Sequence, residues 1–177
     1  MRVIIQPSFG TPEARRHWAA TLDRTVPFLQ PRYAGVLTAG QRAELLAEHP
    51  GGHARFWGAT ARHDPRMDTL AAGDVALLTG RKHVLAIGSV GCSLRNDELA
   101  RRLWDPDPQR CLWRNVYTFR VFRPVSIPYP HVWALPGFTV GDNFMGLRFL
   151  DPEKSATVID GLGVEALLAG DGERLTG

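Results

Sequence analysis

Apolar positions in this chain come in short runs cut by prolines and glycines, and the spacing inside each run predicts its element. Arg2-Val3-Ile4-Ile5-Gln6 predicts a short buried strand, stopped by Pro7. Thr11 then offers an N-cap with Pro12 at the first helical position. Trp18, Leu22 and Val26 recur every fourth residue, an apolar stripe that ends at Pro27 and assigns Trp18 to a core. A second, short helix is predicted to start from the capping box Thr38-x-x-Gln41 and to end before Pro50-Gly51-Gly52. Val75-Ala76-Leu77-Leu78 and the run from Val84 to Val90 flank Gly80-Arg81-Lys82-His83, the pattern of a β-hairpin with a basic turn.

Further along, Asn96 caps a short helix with Leu99 and Leu103 on one face, and Pro106 and Pro108 forbid its continuation. From Val116 to Phe122, Tyr117, Phe119 and Val121 alternate with Thr118 and Arg120, which predicts a strand. Prolines and glycines between Pro124 and Gly141 predict no regular structure; Phe144 to Leu150 reads as a return to strand, and Asp151-Pro152-Glu153 as the start of a closing helix. The element order lacks the strand-helix alternation of a doubly wound sheet. It predicts an α+β chain, most economically a small open β-barrel or strongly curved sheet with flanking helices. One domain over residues 1–170 is expected, with 171–177 as a glycine-bearing tail or linker.

Composition narrows the class without naming a function. A length of 177 residues suits one core, and 44% hydrophobic with 22% charged residues is ordinary for a globular protein. No run approaches the roughly 18 apolar residues of a membrane span, and the N-terminus lacks a signal pattern, so a cytoplasmic protein with no membrane partner is expected. Cys92 and Cys111 have no second Cys or His at zinc-ligand spacing. They predict packing residues, with no disulfide framework, metal or other cofactor. The formal charge is +3, and Lys82 and Lys154 are the only lysines. Arginine forks fit phosphates, which leans toward nucleic acid; a GC-rich genome that favours arginine codons accounts for the same usage.

Catalytic patterns are missing. There is no Gly-x-Ser-x-Gly and no phosphate-cradling glycine loop, and Ser8 and Ser126 sit beside prolines as turn residues. His63, Asp64 and Asp68 fall close together but read more simply as a turn or helix cap, and Asp105 and Asp107 as shapers of a proline loop. Three tryptophans stand out instead: Trp57, ahead of the hairpin, and Trp104 and Trp113, bordering the proline-broken loop. Aromatic faces that sandwich a base gain roughly 1–3 kcal/mol per contact. The plain alternative is that these rings plug the core.

The stretch Trp57-Gly58-Ala59-Thr60, Met67, Leu70, Gly73-Asp74-Val75-Ala76-Leu77-Leu78 and Ile87-Gly88-Ser89-Val90-Gly91 resembles the central part of the EVE and YTH domains of the PUA-like superfamily, over about half the chain. The resemblance implies an aromatic cage for a methylated base, with Trp57 as its first wall and Trp104 and Trp113 as candidates for the others. The carbonyl of Gly58 would face the exocyclic amine. Related modules stand at the N-terminus of McrBC-type modification-dependent restriction proteins, where they read a flipped modified base. The implied function is therefore a non-catalytic reader of a methylated base in double-stranded DNA, giving specificity to a nuclease or AAA+ motor domain or subunit. An RNA-binding PUA/YTH-like module, or a small enzyme acting on a nucleotide, is the alternative. Methylcytosine, hydroxymethylcytosine and methyladenine all remain open.

This chain departs from the EVE pattern where Gln6-Pro7-Ser8-Phe9 replaces the usual Lys-Ser-Glu-Pro, so the polar reader of the base edge does not transfer. Asn143 is a candidate by its amide chemistry, with a plain turn role as the alternative. Arg81, Lys82, Arg95, Arg101 and Arg102 are candidate phosphate contacts, each with a solvated surface role as the alternative. Trp57→Ala is expected to abolish discrimination and leave the fold intact.

Overall fold

Aliphatic runs buried on both faces form the middle of one mixed sheet. In the computed structural model, which describes residues 1–104 and 112–170, the strands are β1 (Val3–Pro7), β2 (Val26–Pro27), β3 (His53–Ala59), β4 (Val75–Gly80), β5 (His83–Arg95), β6 (Asn115–Pro128) and β7 (Arg148–Phe149). The helices are α1 (Pro12–Thr21), α2 (Pro31–Ala34), α3 (Ala39–Glu48), α4 (Asp64–Met67), α5 (Asp97–Leu103), α6 (Tyr129–Trp133), α7 (Pro152–Gly161) and α8 (Val164–Ala169). The strand order is β2-β3-β6-β5-β4-β1-β7. β1 runs parallel to β4, whereas β1–β7, β2–β3, β3–β6 and β4–β5 are antiparallel.

The α+β class is as expected, but the barrel or strongly curved sheet is corrected. The sheet is open, ending on β2 and β7, and no pairing joins these two among the described residues. Both end strands have only two residues, and Pro27 in β2 has no N–H to extend a ladder.

Chain contacts divide the described residues into two compact units, through both of which β5 and β6 pass. The first comprises residues 1–12, 73–89 and 121–170. Its core joins Val3, Ile5, Val75, Leu77 and Ile87 of the strands to Val158 and Val164 of the closing helices and to Leu162 between them. The amide of Val3 donates to Ser155 Oγ at 3.0 Å, and Arg2 pairs with Asp74 at 3.1 Å. Arg81 and Lys82 form the two-residue turn between β4 and β5, with φ of 51° and 60°. Left-handed φ at both positions is the turn geometry that Asn-Gly normally supplies.

The second unit holds residues 13–72 and 90–120, less the undescribed ones, around Phe28, Leu45, Phe56, Leu99, Leu103 and Val116. Its helix starts follow the sequence closely. Thr38 Oγ1 accepts from the Gln41 amide and Gln41 Oε1 accepts from the Thr38 amide, each at 3.1 Å, while Asn96 Oδ1 caps α5 through the Leu99 amide at 2.8 Å. The side chains of the two caps also meet: Asn96 Nδ2 donates to Gln41 Oε1 and to the Val36 carbonyl, both at 2.8 Å, and Gln41 Nε2 donates to the Arg95 carbonyl at 3.2 Å.

Other boundaries differ from the sequence reading. α1 stops at Thr21 because Val26 and Pro27 pair with Ala54 and His53 as β2. β3, not expected as a strand, places Trp57 opposite Tyr117 of β6. β6 runs through the exposed Pro124 as far as Pro128, into the stretch expected to be irregular. The strand expected from Phe144 to Leu150 shrinks to Arg148–Phe149, because Phe144 and Gly146 both take positive φ. Asp105, Asp107, Cys111 and the tail at 171–177 lie outside the described residues.

Candidate functional site

Three elements and a loop of the second unit bring five rings together. β3 presents Trp57, α1 presents His17 and Trp18, the end of α5 presents Trp104, and Trp113 lies in the segment just before β6. On α1 the buried residues are Ala14, His17, Trp18 and Thr21, a spacing of three, four and seven that puts all four on one face. Trp57 is fully buried, Trp104 is 5% exposed, His17 is 8% exposed and Trp113 is half-buried.

The tryptophans pack on one another at steep angles rather than as parallel walls. Trp57 meets Trp113 edge to face at 5.1 Å, Trp104 at 6.4 Å and Trp18 at 6.1 Å between centroids. His17 meets Trp113 edge to face at 4.3 Å and stacks on Trp104 at 5.6 Å. Trp104 and Trp113 are tilted at 58°, 5.7 Å apart. Such edge-to-face contacts are favourable in themselves. Gly58 completes the base of the cluster. A Cβ there would lie 2.9 Å from Trp104 Cη2 and 3.0 Å from the Trp113 carbonyl, so only glycine lets that ring and main chain approach.

Hydrogen bonds orient part of this cluster and leave part open. Trp104 Nε1 donates to Thr21 Oγ1 at 3.1 Å, the Thr21 hydroxyl is 2.7 Å from the Phe56 carbonyl, and Trp18 Nε1 donates to Asp23 Oδ1 at 2.9 Å. Trp57 Nε1 and His17 Nδ1 are buried without a partner among the described residues. Burial pushes the His17 pKa down to about 4, with Glu13 opposing and Arg16 assisting, so the ring is neutral at pH 7.

Thus Trp57, Gly58, Trp104 and Trp113 are brought together, as the sequence reading grouped them. Asn143 is not among them. It belongs to the first unit, exposed in a loop where Asp142 pairs with Arg148 and holds the Phe144 amide. His17 and Thr21 are polar and fall outside the apolar stripe of Trp18, Leu22 and Val26 that marks the helix in the sequence. Their spacing of four, on the face that also carries Trp18, was the available signal.

The candidate cations have different settings. Arg81 and Lys82 are exposed at the hairpin apex of the first unit, and the Arg81 guanidinium lies 4.9 Å over the Phe9 ring. In the second unit Arg95 binds Asn115 Oδ1 at 3.0 Å and Asp68 at 2.7 Å and approaches Asp64 at 3.6 Å. Asp64 also accepts from Asn115 Nδ2 at 2.7 Å. This explains the His63–Asp68 stretch as an arginine-bound turn; among the described residues no group of three His, Cys, Asp or Glu is placed to hold a metal. On α5, Arg101 pairs with Glu98, and the carbonyl of the exposed Arg102 accepts from Arg32 at 3.1 Å.

Neither a family model nor a curated protein matches this sequence. Among solved structures, the chain is similar to the N-terminal domain of McrB from Thermococcus gammatolerans, bound to m5C DNA. The TM-score is 0.64 and the identity 16%, over 92% of this chain and 98% of that one. The chain has the fold of an McrB N-terminal domain. At this identity the likeness to the McrB domain extends to architecture, and side-chain roles rest on the geometry given above. No helix among the described residues is long and apolar enough to cross a membrane.

Proposed function

We propose that this chain is a reader domain for a modified base in DNA, which it holds at the cluster of Trp57, Trp104, Trp113 and His17. The observation that carries the reading is this gathering of rings around Gly58, in a fold similar to that of an McrB domain whose solved complex contains m5C DNA. Flipping a base out of the stack costs a few kcal/mol, and stacking on each aromatic face returns roughly 1–3 kcal/mol. A methyl group adds apolar area for the indole faces to cover.

The packing of the rings defines what binding requires. Trp57 and Trp113 are edge to face at 5.1 Å, so a base is admitted when one ring moves. Trp113 is the half-buried member, outside any strand or helix, and it is the ring that turns aside. Gly58 offers its main chain close to the base, where a larger residue would push Trp104 away. Arg81 and Lys82, with Arg101 and Arg102, supply phosphate contacts that position the duplex without reading sequence. Arg95, already bound to Asp68 and Asn115, keeps the turn at α4 in place. The domain does no chemistry on the base; it directs a nuclease or motor domain or subunit to the modified site.

Fluorescence anisotropy with matched hairpins tests the reading, the probes differing only in one central base: cytosine, 5-methylcytosine, 5-hydroxymethylcytosine, adenine or N6-methyladenine, in DNA and in RNA. One modified DNA probe should bind at least about tenfold more tightly than its unmodified twin, and Trp113→Ala should erase the difference. Equal affinities across the DNA panel would rule the reading out, and preference for an RNA probe would reassign the domain to RNA.

A further inference from the structure

Two polar atoms of the aromatic cluster, His17 Nδ1 and Trp57 Nε1, are sequestered from solvent with no hydrogen-bond partner among the described residues. Buried polar groups are nearly always satisfied, because an unpaired one forfeits its bond to water. Two other indole N–H groups of the cluster obey this rule, Trp104 through Thr21 and Trp18 through Asp23. Two exceptions on neighbouring rings call for a common explanation. Both rings lean on Trp113, His17 at 4.3 Å and Trp57 at 5.1 Å, each edge to face. A flat ring seated where Trp113 now lies would contact the two rings that carry the open atoms.

The chemistry of the pair defines what fits. An indole N–H only donates, so Trp57 asks for an acceptor. The neutral imidazole of His17 donates or accepts through Nδ1 according to its tautomer, and so answers either an amino group or a ring nitrogen. Neither group carries charge, so the pair does not suit a phosphate or carboxylate, and it does suit the alternating donors and acceptors on the edge of a nucleobase. We propose that His17 Nδ1 and Trp57 Nε1 together read the hydrogen-bonding edge of the flipped base, which makes His17 a specificity-determining residue. This rests on the base-reading function proposed above.

The test uses three DNA hairpins with cytosine, 5-methylcytosine or difluorotoluene at one position, the last being a base-shaped ring that neither donates nor accepts strongly. Binding is measured by anisotropy for the wild type, His17→Phe and His17→Gln, with near-ultraviolet circular dichroism to confirm folding. His17→Phe is expected to weaken the 5-methylcytosine hairpin by about tenfold and the difluorotoluene hairpin by under about twofold. His17→Gln, which keeps a donor and an acceptor, should recover part of the loss. Equal losses on both hairpins, or none on the first, would overturn the proposal and leave base reading intact. A wild type that binds cytosine and 5-methylcytosine equally but difluorotoluene more weakly would overturn methylcytosine reading and support edge reading. Equal binding of all three hairpins would overturn both edge reading and methylcytosine reading.

Discussion

Trp57 is the largest side chain with no solvent exposure, and that burial changes what its removal tests. The sequence alone suggests that Trp57→Ala abolishes discrimination in an intact fold. A fully buried tryptophan cut to alanine leaves a cavity, with a loss of about 3–5 kcal/mol. Thermal melts should therefore show a fall in Tm of roughly 6–20 °C for Trp57→Ala and a much smaller one for the half-buried Trp113. Similar falls for both would mean that Trp113 is as much core as Trp57. His17 adds a pH dependence. Its pKa is depressed in the folded state from 6.5 to about 4, so the unfolded chain binds a proton first as pH falls. The stability that His17 contributes is complete above pH 6.5 and is lost as pH drops toward 4, by up to about 3 kcal/mol. His49 and His63 are also depressed by burial, so the part due to His17 is the difference between wild type and His17→Phe. Between denaturant melts at pH 7 and pH 4.5 the wild type should lose about 2–3 kcal/mol more stability than His17→Phe; parallel losses would refute the assignment.

Among the elements, the β4–β5 hairpin stands out because its turn is made of residues ill suited to it. Arg81 and Lys82 both hold positive φ, which disfavours L side chains by roughly 1–2 kcal/mol each. Strain kept in an exposed basic turn is consistent with a contact that repays it. Arg81→Asn combined with Lys82→Gly should raise stability by about 1–2 kcal/mol, weaken all DNA probes alike and reduce the salt slope by about 1 to 2. An unchanged salt slope would take the hairpin out of the interface. This hairpin was legible in the sequence because two apolar runs bracket a two-residue turn, and the caps at Thr38, Asn96 and Asp151 were legible because each acts on an amide three residues ahead. β3 was not legible: Phe56-Trp57-Gly58-Ala59 is buried throughout and shows no alternation. Such strands are recognised only by what pairs with them, here β6.

For the molecule as a whole, what stayed hidden is how distant segments combine. The α+β order followed from local patterns, but the parallel pairing of β1 with β4 joins residues separated by a helix-rich stretch, and no local spacing announces it. The same holds for the candidate site. Trp57, Trp104 and Trp113 were grouped by their resemblance to a cage, while His17 enters only through the fold, from a helix forty residues upstream of Trp57 in the chain. The two discontinuous units each bury their own cluster, so the first unit's exposed hairpin and the second unit's rings are separately open to substitution.

Gln41 closes the capping box of α3 and also receives the Asn96 amide group that caps α5, so one side chain ties together the first turns of two helices 55 positions apart in sequence. Amide exchange with deuterated solvent should expose this link. Gln41→Ala ought to speed exchange in the first turn of α5, at Leu99 and Ala100, as well as at its own helix start. Because Trp104 terminates α5, a change at residue 41 should then reach the rim of the ring cluster without touching any ring.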